Sequence, residues 1–323
     1  MGSHRRLVLK VALIVLLVLG VLFTGSGLAL FVGIANVRGS CGRHVVNRPD
    51  RILYTDGWPP IDFSRYAMPN YETVRFPSRQ PGIDIAGWWA PGAPNAPAVI
   101  LVHGLGGCKN AVDVLVPAGM LWRNGFSVLM IDVRDVGDSD TEDGWTSAGN
   151  EEYLDVLGAW DWLVTAKGLA PKHIGLYGGS MGGATALYAF SHEPRVAALF
   201  LHSTFAGLLA AFADILTSYG LPGFLGYPTA VMGRLVSGKD LLEHTPAEAI
   251  KHAGDRPIYI VHSRSDRRIS IRQSEELANA ARAAGVNATT WFPENSGHLQ
   301  TPAVYPEEFE QRLVGFFRES LGR

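Results

Sequence analysis

The chain has 323 residues, of which 47% are hydrophobic and 18% charged, and its formal net charge is −2. A chain of this length can bury a core large enough to fold without a metal or a disulfide framework. The near-zero net charge gives no sign of a nucleic-acid partner. Cys41 and Cys108 lack metal-ligand spacing. They could pair if the domain lies outside the cytoplasm, although two buried thiols are the more usual arrangement.

Residues 1–36 are typical of a membrane anchor. Arg5, Arg6 and Lys10 precede a run from Val11 to Val37 that contains no charged side chain. This run is long enough to cross a bilayer core of about 30 Å, and the preceding positive charges favour a cytoplasmic N-terminus. We therefore expect a single-pass protein of the cell membrane whose remaining chain is extracytoplasmic. The alternatives are a cleaved signal peptide, which would give a secreted protein, and a buried core helix.

Residues 37–70 are rich in Pro, Arg and Asp and show no clear period, which is typical of a tether. An unpaired tether of this length reaches roughly 30–35 Å, so the domain that follows would stay near the membrane surface. We expect residues 71–323 to form that domain.

From residue 71 onward, short apolar runs alternate with helical stretches. The predicted strands are Tyr71–Phe76, Ile83–Trp89, Ala98–Val102, Ser127–Val133, Ile174–Tyr177, Val196–Leu201, Ile258–Val261 and Ala288–Phe292. The predicted helices are Glu151–Val164, Ala184–Phe190, Arg272–Ala284 and Glu307–Ser320. This alternation predicts an α/β fold with a mostly parallel sheet and helices on both faces. In such sheets the active groups gather at the carboxyl ends of the strands.

A Gly-x-Ser-x-Gly sequence, Gly178–Gly182, lies between a predicted strand and a predicted helix. This context is typical of a nucleophile elbow, in which the glycines allow a tight, strained turn that exposes the serine. An ordinary glycine-rich turn is the alternative. We predict that Ser180 is a nucleophile, which needs a base to take its proton.

His298 is the predicted base because it follows the last predicted strand and lies C-terminal to Ser180. Asp266 follows the preceding strand and is the predicted acid that orients the imidazole. A surface aspartate paired with Arg267 or Arg268 is the alternative interpretation of Asp266. Three acids that precede the serine, Asp132, Asp135 and Asp138, are weaker candidates for the same role. His202 and His262 lie at strand ends, where we expect them to pack locally or to bond with the backbone.

A second glycine-rich turn, His103–Gly107, also follows a strand. Such a turn exposes backbone N–H groups, and we predict that those of Leu105 and Met181 form an oxyanion hole. No Gly-Lys-Ser/Thr closes the turn, which argues against a phosphate loop. The chemistry predicted from these residues requires no metal and no cofactor.

Six motifs occur in the order typical of one superfamily. They are Val102-His103-Gly104, Asp132-Val133-Arg134, Gly178–Gly182, Pro246–Ile250, His262–Asp266 and Ser296-Gly297-His298. From residue 71 to the C-terminus the chain resembles the α/β-hydrolase superfamily, and in particular its serine-aminopeptidase-like and acyl-hydrolase members, many of which carry an N-terminal anchor. The resemblance implies an α/β-hydrolase fold with a short helical cap at residues 205–245. A plain crossover helix is the alternative for that segment.

Apolar residues of this segment, including Phe205, Leu208 and Phe212, are expected to bind substrate. With the anchor, they favour a serine hydrolase that cleaves lipid-like or other acyl esters through an acyl-enzyme. A peptidase acting on short peptides is the alternative, in which Asp214 or Glu243 would hold the peptide amino group. An inactive scaffold that binds a partner is a third possibility. The sequence does not predict the oligomeric state.

Overall fold

The structure is a computed structural model that describes residues 2–55 and 57–322. The strands are β1 (Glu72–Pro77), β2 (Asp84–Ala90), β3 (Ala98–Val102), β4 (Ser127–Ile131), β5 (Ile174–Gly179), β6 (Ala198–His202), β7 (Ile258–Val261) and β8 (Ala288–Trp291). The helices are α1 (Gly2–Ala35), α2 (Val112–Arg123), α3 (Tyr153–Thr165), α4 (Met181–His192), α5 (Leu208–Ser218), α6 (Gly226–Ser237), α7 (Pro246–Ala249), α8 (Ile271–Ala283), α9 (Thr301–Val304) and α10 (Pro306–Ser320).

Eight strands in the described part of the chain form one sheet in the order β1-β2-β4-β3-β5-β6-β7-β8. The contacts of β2 with β1 and β4 are antiparallel, and all other pairs are parallel. The central strands are buried apolar runs because helices cover both faces of the sheet. The prediction of a mostly parallel sheet is therefore confirmed.

Alternate residues of the central strands face two separate cores. Ile100 and Val102 of β3 pack in one core with α3, α4 and α8, whereas Val99 and Leu101 pack in the other with α2 and α10. The sequence pattern gave no prediction for α2. This helix is buried along nearly its whole length and contains Pro117, so it lacks the apolar and polar alternation that marks an amphipathic helix.

Helix α1 is the one helix among the described residues that is long and apolar enough to cross a bilayer. Its side chains are exposed from His4 to Gly25. Its last ten residues instead pack on the folded domain through a stripe at helical spacing that includes Gly27, Phe31 and Ala35. The closest approach is to α6, because a β-carbon added at Gly27 would lie 2.4 Å from the carbonyl oxygen of Pro228.

The segment interpreted as a tether, residues 37–70, lies against the domain rather than extending freely from it. Tyr66 and Met68 are buried in the core beside α2. The buried side chain of Asn47 donates to the carbonyl oxygen of Asn110 at 3.1 Å, and the side chain of Asn110 donates back at 2.8 Å. Because of these contacts the segment does not have the reach of 30–35 Å expected for an unpaired tether. It instead holds the domain directly against the end of α1.

Cys41 and Cys108 form a disulfide, so the expectation of two buried free thiols is wrong. The bond joins the segment that follows α1 to the glycine-rich turn after β3. These two positions are 67 residues apart, and their proximity depends on the packing of the whole N-terminal segment.

The segment predicted as a cap, residues 205–245, contains α5 and α6 between β6 and β7. Both helices lie outside the strand–helix alternation of the sheet. Helix α6 packs against α1 and α5, and α5 faces the carboxyl end of β5. These positions place the segment over the end of the sheet at which active groups are expected.

Candidate active site

Ser180 occupies the sharp turn between β5 and α4, with φ of 54° and ψ of −123°. Positive φ is costly for a serine and is typical of a strained turn at a functional site. A β-carbon at Gly178 would lie 2.3 Å from the carbonyl oxygen of Gly182, and one at Gly182 would lie 2.3 Å from that of Val102. The turn therefore requires glycine at both positions, which is the physical basis of the Gly-x-Ser-x-Gly pattern.

His298 and Asp266 meet at the carboxyl end of the sheet. The Nδ1 atom of His298 lies 2.7 Å from Oδ2 of Asp266. The backbone N–H groups of Arg268 and Ile269 donate to the other carboxylate oxygen at 2.9 and 3.1 Å. Burial would raise the pKa of Asp266, but hydrogen bonds from His262 and His298 hold it far below its usual range. Asp266 is thus a buried carboxylate that stays charged.

His262 is a residue whose place in the site was not predicted. Its Nε2 atom lies 3.2 Å from Oδ2 of Asp266 and 3.0 Å from the carbonyl oxygen of Ile269. A carbonyl oxygen can only accept, so Nε2 carries the proton and Nδ1 is paired with Ser274 Oγ at 2.7 Å. The predicted backbone bond is present, but the contact with Asp266 could not be inferred from position at a strand end.

The other acids considered for this role are engaged elsewhere. Asp135 accepts from the backbone N–H groups of the turn at residues 142–144. The Nζ atom of the buried Lys109 lies 2.5 Å from a carboxylate oxygen of both Asp132 and Asp138. Asp266 has 7% of its surface exposed and its carboxylate faces two histidines, so it is not a surface aspartate paired with Arg267.

Ser180 and His298 line one cavity together with Leu105. No hydrogen bond joins Ser180 Oγ to His298 within the described part of the chain, and such contacts commonly tighten only when substrate binds. The N–H of Met181 lies at the N-terminus of α4, where the helix dipole favours negative charge. A β-carbon at Gly104 would lie 3.2 Å from that of Ser180, so the glycine-rich turn approaches the serine closely.

Among the cavities that adjoin Ser180, two have opposite character. The first is almost wholly apolar and is lined by Ile34, Ala35, Leu105, Thr146, Ala148, Met181, Phe205, Leu208, Ala211, Phe212, Ile215, Leu241 and Ile269. The second is mostly polar and is lined by His44, Trp58, Gly104, Leu105, Gly106, Gly107, Asp113, Arg268, His298 and Leu299. The serine therefore stands between an apolar compartment and a polar one.

The three cap residues expected to bind substrate, Phe205, Leu208 and Phe212, all line the apolar cavity. Ile34 and Ala35 of α1 also line it, although the sequence assigned them only to an anchor. No local signal could reveal this role, because it depends on how α1 packs on the cap.

The carboxylates suggested for an amine site do not adjoin Ser180. Asp214 accepts from the backbone of Ser270 at 3.0 Å and from Gln273 at 3.2 Å, so it joins α5 to α8. Glu243 lies at the surface beside His244. Asp113 of α2 lines the polar cavity instead, and burial raises its pKa. The sequence distinguishes Asp113 only as an acidic residue within a run that is otherwise apolar and buried.

One group of side chains among the described residues has the geometry to hold a metal ion, namely Cys41, Cys108 and Asp132. The two sulfur atoms are joined in the disulfide, and the aspartate is paired with Lys109. These groups therefore do not form an available metal site.

The sequence profile of the prolyl oligopeptidase family matches residues 118–323. An uncharacterized protein of Mycobacterium tuberculosis is 28% identical over 72% of this chain and 74% of its own length. The thiohydrolase aneE of Aspergillus aculeatus is 32% identical, but the match covers only 36% of each chain. Human protein ABHD12B is 28% identical over 58% of this chain and 51% of its own.

Solved structures with the same fold include both esterases and peptidases. The esterase Pf2001 of Pyrococcus furiosus has a TM-score of 0.67 at 22% identity, covering 85% of this chain and 98% of its own. The acylaminoacyl peptidase of Pyrococcus horikoshii has a TM-score of 0.60 at 18% identity, covering 79% of this chain and 42% of its own. At these identities the likeness identifies the α/β-hydrolase fold and does not distinguish an ester from a peptide substrate.

Proposed function

Because this chain belongs to the prolyl oligopeptidase family, and is thus a serine hydrolase of the α/β-hydrolase fold, we propose that it cleaves esters with apolar acyl chains while anchored in a membrane. The observation that carries the proposal is the apolar cavity beside Ser180. An acyl chain gains about 0.8 kcal/mol for each methylene that it buries there. The polar cavity on the other side of the serine suits the alcohol part of the ester and the attacking water.

The proposed reaction is acyl transfer. Ser180 attacks the carbonyl carbon while His298 takes its proton, and Asp266 holds the imidazole and stabilises its charged form. The backbone N–H groups of Leu105 and Met181 stabilise the oxyanion. His298 returns the proton to the leaving alcohol, and a water molecule activated by the same histidine then releases the acid and regenerates the serine.

The membrane part of the proposal is supported by α1 and by the disulfide. The positively charged residues precede the apolar run, which favours an N-terminus in the cytoplasm and a catalytic domain on the other side. Disulfides persist in oxidising compartments, so the Cys41–Cys108 bond supports an extracytoplasmic domain. Retention of α1 is supported by its last ten residues, which pack on the domain.

The proposal is tested with the purified full-length protein in detergent micelles. A fluorophosphonate probe should label the protein but not its Ser180→Ala variant, and no labelling of either would favour an inactive scaffold. Turnover of p-nitrophenyl esters should rise with acyl length. Faster turnover of aminoacyl amides than of any ester would contradict an ester hydrolase.

A peptidase is the second candidate because Asp113 lines the polar cavity beside Ser180 and His298. A carboxylate in that position is suited to a cationic amine. In a peptidase that binds such an amine, Asp113→Asn should raise KM for aminoacyl amides and leave KM for acyl esters unchanged. Equal effects on both substrates would show that Asp113 has no role in amine selection.

A further inference from the structure

Exposed apolar side chains of the folded domain are concentrated in the cap. Outside α1, eight of the eleven large hydrophobic side chains that are exposed among the described residues lie between positions 219 and 242. They are Tyr219, Leu221, Phe224, Tyr227, Val231, Leu235, Val236 and Leu242, which we call the apolar cap face. Concentration of this kind is typical of a surface that contacts a partner or a membrane.

Most of this face is uncharged, and Arg234 and Asp240, which form an ion pair at 2.9 Å, lie near its end. The sequence from Ile215 to Gly233 contains no charged residue. Tyr227, Val231 and Leu235 are spaced four residues apart, so they form one row along α6. Aromatic residues with a polar tip, such as Tyr219 and Tyr227, are enriched where a bilayer meets water.

The packing of α1 sets the height of this face relative to the bilayer. Twenty helical residues from Val11 to Leu30 span about 30 Å, which is the thickness of the hydrocarbon core. Gly27, which contacts Pro228 at the start of α6, lies only about 24 Å along that span. Helix α6 therefore begins about 6 Å inside the hydrocarbon boundary, and Gly233 near its end, which approaches Phe31, lies at that boundary.

We propose that the apolar cap face is inserted into the bilayer that α1 spans, in the leaflet at the carboxyl end of α1. The occupant of the face is lipid, because the row on α6 runs beside a helix that already lies in lipid. The proposal depends on the membrane anchor of the proposed function but not on the identity of the substrate.

Insertion would connect the membrane with the active site. Tyr219 is 68% exposed and also lines a cavity shared with Ser180, Ile34 and Ile215. The apolar cap face thus extends to an opening of the site. An acyl chain could pass from the lipid into the apolar cavity without first entering water.

The test uses full-length protein in lipid nanodiscs that contain one copy each. Cys41 and Cys108 are paired, so a Tyr227→Cys variant, at the start of α6, can be labelled with the fluorophore NBD at a single position. We expect this label to be quenched by doxyl-labelled lipid and protected from aqueous iodide. A label at Leu53→Cys, an exposed leucine outside the cap, should show the opposite behaviour. A label at Leu16→Cys in α1 reports whether α1 itself lies in the bilayer.

Iodide quenching of the Tyr227 label as strong as that of the Leu53 label would overturn the proposal. If the Leu16 label were quenched by doxyl-labelled lipid in the same discs, α1 would be in the bilayer as proposed. Only the insertion of the apolar cap face would then be contradicted. Iodide access to the Leu16 label would instead overturn the anchor. Protection of the Tyr227 label only in discs that hold two copies would assign the face to a second chain and overturn insertion.

A different observation, the lining of the apolar cavity, carries a second inference about α1. Its last turn contributes Ile34 and Ala35 to the cavity that contains Ser180. This turn is fixed in place because the carbonyl oxygen of Ala35 accepts from the N–H of Thr146 at 3.0 Å. Phe31 also stacks on Trp145, with ring centroids 4.9 Å apart.

We infer that Ile34 determines which acyl lengths the enzyme accepts. This inference rests on the proposed ester hydrolysis. Ile34→Ala should extend the cavity and raise kcat/KM for long acyl esters relative to short ones by about fourfold per methylene newly accommodated. Val32→Ala, on the exposed face of the same turn, is the matched control and should leave the profile unchanged.

A profile for Ile34→Ala identical to that of Val32→Ala would overturn this inference. Labelling of both variants by a fluorophosphonate probe would show that the active serine is intact, so the result would not affect the proposed hydrolase function. Loss of labelling in both the variants and the unaltered protein would instead contradict the proposed function itself.

Discussion

The side chains of His262 and Asp266 are in contact, with Nε2 of the histidine 3.2 Å from Oδ2 of the aspartate. The same oxygen lies 2.7 Å from His298. Asp266 therefore shares its negative charge between two imidazoles, one of which belongs to the core of the protein. We predict that His262 is a positioning residue that acts on His298 through the carboxylate.

His262→Gln should lower kcat/KM for a short ester by about tenfold, because one hydrogen bond that positions Asp266 is lost. The loss should fall on kcat and leave KM nearly unchanged, because His262 contacts Asp266 and lines neither the apolar nor the polar cavity beside Ser180. The measurement is kcat and KM for the short ester, with the melting temperature as a check on folding. A loss of activity that is fully explained by lower stability would show that His262 has only a structural role.

Asp266→Asn should reduce kcat by roughly 10³–10⁴-fold while the protein stays folded, because the imidazole loses its orienting charge. Asp138→Asn is the control. The side chain of Asp138 is 72% exposed and pairs with Lys109 rather than with His298. That variant should keep nearly full turnover. Activity retained in Asp266→Asn and lost in Asp138→Asn would place the catalytic acid elsewhere.

The combined replacement of Leu208 and Phe212 with Ser should flatten the dependence of kcat/KM on acyl length. Both side chains line the apolar cavity, so the rise of about fourfold per methylene between acetyl and hexanoyl esters should shrink. Turnover of the acetyl ester should change much less. The measurement is kcat/KM across a graded series, and an unchanged slope would show that the chain binds outside this cavity.

Acidification should destabilise the protein partly through His202. Burial, together with the nearby His298 and His262, lowers the pKa of His202 well below its usual value. As pH falls below about 6.5 the unfolded chain takes up a proton that the folded chain excludes, so the free energy of unfolding falls by at most about 1.4 kcal/mol per pH unit from this residue.

Thermal melts of the detergent-solubilised protein between pH 7.5 and 5.5 measure this effect. His202→Gln removes the titrating group and its contact with Tyr177, so the variant should be less stable at pH 7.5 but should lose less stability on acidification. Parallel pH dependences of the two proteins would assign the acid sensitivity to other residues.

The sequence predicted the sheet well because its strands are buried on both faces and therefore appear as unbroken apolar runs. Ser180, Asp266 and His298 could be selected because each follows a strand, and the carboxyl ends of parallel strands meet at one edge. Asp113 and Ile34 could not be selected in this way. Each lies in a helix whose apolar composition predicts burial or membrane insertion, and only tertiary packing brings it to the serine.

The sequence left the disulfide as one of two alternatives and gave no sign that the N-terminal segment packs on the domain. Whether residues 37–70 extend freely or pack depends on many weak contacts with α2, and their irregular sequence carries no period that would indicate packing. The partnership of Cys41 with Cys108 follows from that packing. Contacts between distant positions are therefore the part of the fold that sequence patterns leave undetermined.

The contribution of α1 to the cavity has a practical consequence for work with this protein. Removing an anchor to obtain a water-soluble enzyme assumes that the two parts are separable. A shortened protein that begins after Ala35 would lose Ile34 and Ala35 from the cavity wall and would leave Gly233 without its contact to Phe31. Substrate preferences and inhibitor potencies measured on such a protein would describe an altered active site, so screening should use the full-length chain in lipid.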